Sequence, residues 1–245
     1  MRNICLVWVG MLLVSMISSA QSENLSAEDL LNRVSAAWQG ESFHGVMSLE
    51  ITRGEQTTSR RLEVWTLGES LALVRILEPA DEEGSGYLVR GDDMWHYAHG
   101  IGAIPLPAIA LGDALFGAGP SLNDLSRGTL SEAYDVVAER TDTGHFLSLT
   151  PHDDAPVVFG RIELWADHDF TLERMLTYDQ RNGLLQTAVF TDIVQLGDRQ
   201  LATTIVIEDA WGDRTIQRIE WARFDEDLDE SFFQLETFDR WGPSE

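Results

Sequence analysis

The sequence predicts a mainly β protein with a few helices, built on one strongly curved antiparallel sheet or barrel. Three observations predict it. From Phe43 onward apolar residues recur at every second position, the period of a strand, in segments rich in Val, Leu, Ile, Trp and Tyr. Glycine beside an acid, or Asn182-Gly183, punctuates those segments, so each reverses into the next as a hairpin. Only the stretch just before them carries a helical period.

Residues Asn24 to Gln39 form the predicted helix. Ser26 can cap it, Glu28 and Asp29 suit its positive first turn, and Leu30, Leu31, Val34, Ala37 and Trp38 make one apolar stripe that Gly40 ends. Strands are expected at Phe43–Thr52, Arg60–Leu67, Leu71–Glu78, Tyr87–Arg90 and Met94–Ala98, with turns at Gly54-Glu55, Gly68-Glu69 and Gly91-Asp92. From Gly100 to Gly128 the rhythm breaks: Pro105, Pro107, Pro120 and several glycines interrupt an apolar run. Proline excludes a central strand there, and a short helix over Ala108–Phe116 is expected, with a second starting at Ser121. Strands resume at Tyr134–Arg140, His145–Thr150, Val157–Ala166, Thr171–Gln180, Leu185–Leu196, Leu201–Glu208 and Thr215–Phe224. Asn182-Gly183 reads as a type I′ hairpin turn; Gly197-Asp198 and Gly212-Asp213 are weaker signals. No linker or internal repeat appears, so residues 21–245 read as a single domain.

The first twenty residues read differently. Arg2 precedes a 14-residue, almost uninterrupted apolar run from Ile4 to Ile17, and Ser18-Ser19-Ala20 closes it with small side chains. This is the pattern of a secretory signal peptide, too short to span a bilayer comfortably, with cleavage expected after Ala20. The single cysteine, Cys5, lies within it, so the mature chain has no thiol for a disulfide, a nucleophile or a metal site. Such a chain suits an oxidising compartment such as the periplasm.

The whole chain carries 41 acids against 17 basic residues, all of them arginine, for a formal net charge of −24. Self-repulsion of this size favours a soluble monomer at some cost in stability. It speaks against nucleic acid and against an anionic membrane surface, which call for basic patches. Salt would screen the repulsion, so a high-salt setting is a further expectation.

Several strands are apolar on both faces: Leu71, Leu73 and Leu77 alternate with Ala72, Val74 and Ile76. A half-exposed sheet would be polar on one side, so both faces are expected to be covered, one of them facing an internal apolar site. Trp65, Leu73, Trp95 and Tyr97 are candidate ligand-binding residues, with Trp165 a further aromatic. Trp65 and Trp165 alternate in step with charged neighbours, so an outer face under a helix suits them equally well. Arg75, alone in an apolar strand, is a candidate for a carbonyl or phosphate head group, or for a structural ion pair. Ile104, Leu106, Ile109, Leu111, Leu115 and Phe116 make either a lid over the site or a core-filling helix. Burying six such side chains, or the equivalent acyl surface, is worth on the order of 10 kcal/mol.

An ordered set of residues carries a family resemblance. Trp38-Gln39-Gly40 is followed by Val64-Trp65, Gly68, Leu73-Val74-Arg75-Ile76 and Pro79, then Gly84-Ser85-Gly86-Tyr87-Leu88, Met94-Trp95-His96-Tyr97, the apolar segment, Asn123-Asp124-Leu125 and Ile162-Glu163-Leu164-Trp165-Ala166-Asp167. In this order they resemble the LolA-like family of outer-membrane lipoprotein-sorting proteins. The resemblance implies an unclosed β-barrel wrapped over helices, an apolar cavity for acyl chains, a periplasmic location and no catalytic residues. It also implies, for some relatives, an inner-membrane lipid exporter of the resistance-nodulation-division class as partner. His99 departs from a frequent proline, and Gly119-Pro120 from an Asp-aromatic pair, so the cargo is not carried over with the fold.

Two functions fit this reading. One is a carrier or chaperone that takes a lipid or lipidated protein toward the outer membrane. The other is a sensor that binds a lipid or peptide and signals to a membrane protein. Neither needs a cofactor. His96 and His99 are three apart on a strand and point to opposite faces, so they do not share a metal. Asp225, Asp227, Asp229 and Glu236 have the outer spacing of a calcium loop, but Glu230 stands where that loop needs Gly. His152-Asp153-Asp154 and Asp167-His168-Asp169 fall at predicted turns without a nucleophile elbow or phosphate loop, so no enzyme activity is expected.

Overall fold

The computed structural model describes residues 25–68, 70–106, 130–153, 155, 157, 159–197 and 199–241. The predicted signal peptide and the predicted helices within 107–129 lie outside these residues.

Helix α1 (Ala27–Gln39) opens the described chain. Ser26 caps it: its Oγ accepts from the Asp29 amide at 3.0 Å, and the Asp29 carboxylate accepts from the Ser26 amide at 3.3 Å, a reciprocal capping box. The helix starts three residues later than expected because the cap sets the boundary. At its other end Gly40 adopts φ 67° and donates its amide to the Ala36 carbonyl at 3.3 Å, which also accepts from the Arg199 guanidinium at 3.2 Å.

Among the described residues thirteen strands follow: β1 (Ser42–Arg53), β2 (Gln56–Leu67), β3 (Leu71–Glu78), β4 (Gly86–Arg90), β5 (Asp93–Ala98), β6 (Gly102–Leu106), β7 (Tyr134–Arg140), β8 (Gly144–Pro151), β9 (Arg161–Asp167), β10 (Leu172–Tyr178), β11 (Leu184–Leu196), β12 (Arg199–Asp209) and β13 (Arg214–Phe224). A one-turn helix, α2 (Leu130–Ala133), precedes β7. All thirteen strands join one curved, unclosed antiparallel sheet in the order β6-β5-β4-β3-β2-β1-β13-β12-β11-β10-β9-β8-β7. The chain therefore starts at the middle of the sheet, steps out to one edge, crosses to the opposite edge and steps back to pair β13 with β1.

Three local expectations are corrected. Gly102–Leu106 is a strand, not part of a helical insert; it accommodates Pro105 because it is an edge strand, where a missing N–H breaks no ladder. The strand expected from Val157 begins only at Arg161. The Asn182-Gly183 hairpin is present, but only Asn182 has positive φ (66°), whereas a type I′ turn needs it at both residues.

The turn is instead built on Asp179, whose Oδ1 accepts from the amides of Arg181 and Gly183 at 2.8 and 2.7 Å. Two other hairpins repeat this device. Asp167 Oδ1 accepts from Asp169 and Thr171, and Asp209 Oδ1 from Trp211 and Asp213. In each the fourth residue is left-handed: Phe170, Asn182 or Gly212.

Candidate ligand-binding face

Strand register divides the sheet into two faces. We call inner the face on which α1 packs. There Leu31 and Val34 of the helix cluster with Leu147, Leu149, Ile162, Leu164, Phe190, Ile205 and Ile207 from β8, β9, β11 and β12. Ile205 and Ile207 lie opposite Gln217 and Thr215 of β13, which lie opposite Leu49 and Ile51 of β1. The same face therefore continues across β1–β5 as a second apolar cluster, from Met47, Leu49 and Ile51 through Leu62, Val64, Ala72, Val74 and Ile76 to Val89 and Met94. None of the described α1 side chains belongs to that second cluster.

The outer face of β2–β5 is closed by the C-terminal segment. After β13 the chain forms two 3₁₀ stretches, Glu230–Phe232 and Leu235–Trp241, which the sequence reading did not foresee. They lay Phe233 and Phe238, both essentially inaccessible, over Trp65, Leu71, Leu73 and Leu88. Ring geometry fixes this strap: Trp241 stacks on Trp65 (centroids 5.2 Å apart, planes 11°), and Phe238 on Tyr97 (4.6 Å, 7°). Polar contacts complete it. Arg90 donates to the Phe233 carbonyl at 2.6 Å and Tyr97 Oη to Asp239 at 3.2 Å. Burial and that hydrogen bond hold the Tyr97 phenol above its ordinary pKa.

The residues predicted to bind ligand separate accordingly. Trp65, Leu73, Trp95 and Tyr97 come together on the outer face, beneath the strap. Arg75 joins them: its guanidinium lies 5.1 Å from the Trp241 ring centroid and 3.8 Å from Glu63. Leu106 instead packs on the inner face with the second cluster, and Ile104, in register with His96, is 43% exposed. Ile109, Leu111, Leu115 and Phe116 lie outside the described residues. Alternation showed that both faces are apolar; only the register shows which face each residue serves. The inner residues Val64, Ala72, Val74, Val89 and Met94 were not singled out from the sequence, although their alternation with the outer set was visible.

Titratable groups are scattered rather than gathered. His44 stacks on Trp65 on the outer face, with Glu63 at 3.1 Å and Glu226 at 3.3 Å. His96 sits on the inner side against Tyr87 (4.9 Å); burial holds the imidazole below and the phenol above their ordinary pKa values. His152 lies 3.5 Å from Asp135 at the surface. No group of three or more His, Cys, Asp or Glu among the described residues is arranged to hold a metal ion. Beside α1 a crevice lined by Ala37, Thr171, Leu172, Phe190, Gln200, Leu201 and Ala202 has a volume of about 10 Å³, room for a single water rather than an acyl chain.

An open, curved antiparallel sheet with a helix on its inner face is the LolA-like fold. Solved structures of other proteins share it. A LolA superfamily protein from Nitrosomonas europaea is 22% identical, with a TM-score of 0.73 over 87% of this chain and 99% of that one. A putative outer membrane lipoprotein-sorting protein domain from Vibrio parahaemolyticus is 18% identical, with a TM-score of 0.75 over 88% of this chain and 100% of that one. A DUF1329 family protein from Desulfovibrio piger is 20% identical, with a TM-score of 0.75 over 86% and 97%. The chain belongs to a family described only as "uncharacterized protein", whose family model matches residues 68–240. No curated protein matches the sequence.

Proposed function

We propose that this protein is a periplasmic carrier that holds the acyl part of a lipid or lipidated protein against the inner face of its sheet and moves it toward the outer membrane. One observation carries the reading. The inner face runs as apolar side chains across the whole sheet: α1 packs on the β7–β12 half, and a second apolar cluster on β1–β5, itself buried, contains none of the described α1 side chains. Apolar surface of this extent is where an acyl chain gains the most from leaving water. The shared fold of a protein named for lipoprotein sorting supports the same reading. An inner-membrane exporter is the partner such a carrier would load from, and Ala20 the end of the leader that exports it. The outer-face set, Trp65, Leu73, Arg75, Trp95 and Tyr97, then serves to hold the strap.

Native mass spectrometry after gentle purification tests the proposal. Bound lipid mass, uptake of a fluorescent fatty acid and transfer of it between vesicles are the expected results. Protein that is empty and takes up no fatty acid overturns the reading. Sequencing the exported protein should find Gln21 at its N-terminus.

A further inference from the structure

The inner face carries a short polar line at the middle of the sheet. Thr215 and Gln217 alternate along β13 and both point inward. Thr215 is in register with Ile51 of β1 and Ile207 of β12, and Gln217 with Leu49 and Ile205. Ile51 and Leu49 belong to one apolar cluster, Ile207 and Ile205 to the other. The two polar residues thus form a seam at the middle of the sheet, and this seam is why the inner core divides in two.

The seam is buried, and its Thr215 hydroxyl is unpartnered. Thr215 is 2% exposed and Gln217 6%. The Thr215 hydroxyl meets no hydrogen-bond partner. No side-chain hydrogen bond joins Gln217 to a described residue. A buried hydroxyl without a partner lowers stability, and an apolar side chain of the same size would avoid that loss. Their chemistry is specific: Thr Oγ1 and Gln Nε2 can both donate to one oxygen.

We propose that this seam binds the ester carbonyl of an acyl ligand, with Thr215 Oγ1 and Gln217 Nε2 as donors and the hydrocarbon lying on the apolar clusters to either side. The inference rests on the carrier reading above and adds to it the chemical class of ligand. A glycerolipid and the lipid anchor of a lipoprotein both carry this group.

The test uses the mature chain and displacement of a fluorescent fatty acid by two ligands of matched carbon number, methyl palmitate and heptadecane, each delivered from cyclodextrin. The wild type should prefer the ester by about tenfold, the worth of one net hydrogen bond. The Thr215→Val/Gln217→Met variant should lose that preference, bind heptadecane at least as well, and melt no lower than the wild type. The single Gln217→Met variant, checked by circular dichroism, gives the same comparison if the double variant does not fold. Equal wild-type affinity for ester and alkane, or a preference that survives the substitutions, overturns the seam but leaves the carrier reading standing. If neither ligand nor the fluorescent fatty acid binds, both fall. A diacylglycerol and a diacylglyceryl-cysteine peptide, compared in the same way, distinguish free lipid from lipoprotein anchor by the tighter binder; the variant should weaken each.

Discussion

Gly86 shows how closely the strap and the sheet approach each other. A Cβ there would stand 1.9 Å from the Val74 carbonyl oxygen and 2.8 Å from the Phe238 ring. The first of these is backbone and cannot swing away, so Gly86→Ala should destabilise the protein by about 1–3 kcal/mol, the usual cost of overpacking, measured by urea unfolding. Two histidines set a second residue-level outcome. His145 stacks on Phe170 at 5.2 Å and its Nδ1 is buried without a partner. Burial first, then Arg140 and His168, hold its pKa below the ordinary value; burial does the same to His96. The unfolded chain, with histidine near pH 6.5, therefore binds protons first as pH falls. The contribution of these groups is full above about pH 6.5 and is lost as pH drops through that value toward the folded pKa. Melting temperature should fall between about pH 7.5 and 5.5, and the His96→Gln/His145→Gln variant should flatten that slope. Asp29 and Asp229, held low by hydrogen bonds with Ser26 and Ser231, act only at lower pH, near the carboxylate range. Neither effect could be read from the sequence, because both depend on what surrounds an imidazole or a carboxylate after folding.

The strap is the element on which the outer face depends. Without it Trp65, Leu71, Leu73 and Leu88 would form a large exposed apolar patch, which soluble proteins avoid. Phe238→Ala removes an inaccessible ring stacked on Tyr97 and should cost about 3–5 kcal/mol. Increased binding of a hydrophobic dye, with the fatty-acid affinity of the inner face retained, would show that the two faces act independently; loss of both together would show that they do not. The strap was hidden in the sequence for a physical reason. Phe232, Phe233 and Phe238 sit in short 3₁₀ turns among many acids, with neither a strand nor a helical period. The strands, by contrast, were legible because alternation persists over five to thirteen residues. Hairpin positions were legible too, but not their construction: Asp167, Asp179 and Asp209 fold the turns with their own carboxylates, so the signals at Asn182-Gly183 and Gly212-Asp213 named the right places for the wrong turn type.

At the scale of the molecule, charge is the dominant unbalanced quantity. The arginines are largely engaged. Arg60 pairs with Glu82 at 2.9 Å, Arg61 with Glu220 at 2.8 Å and Arg161 with Glu163 at 3.3 Å, while Arg199 bonds Asp225 and lies over Phe224. With 41 acids against 17 arginines, most carboxylates can have no such partner. Added salt screens both kinds of interaction: it weakens surface pairs worth about 0–1 kcal/mol each, and it weakens the repulsion among the remaining acids. The repulsion should win, because it acts between every pair of acids across the surface, whereas each arginine engages only its neighbours. Melting temperature should therefore rise as sodium chloride goes from about 0.05 M to 1 M, where the screening length shortens to about 3 Å. Chloride rather than sulfate is the salt to use, since sulfate would strengthen apolar burial in any protein. A flat or falling melting temperature would mean that the arginine pairs, not the net charge, govern how this sheet responds to its ionic surroundings.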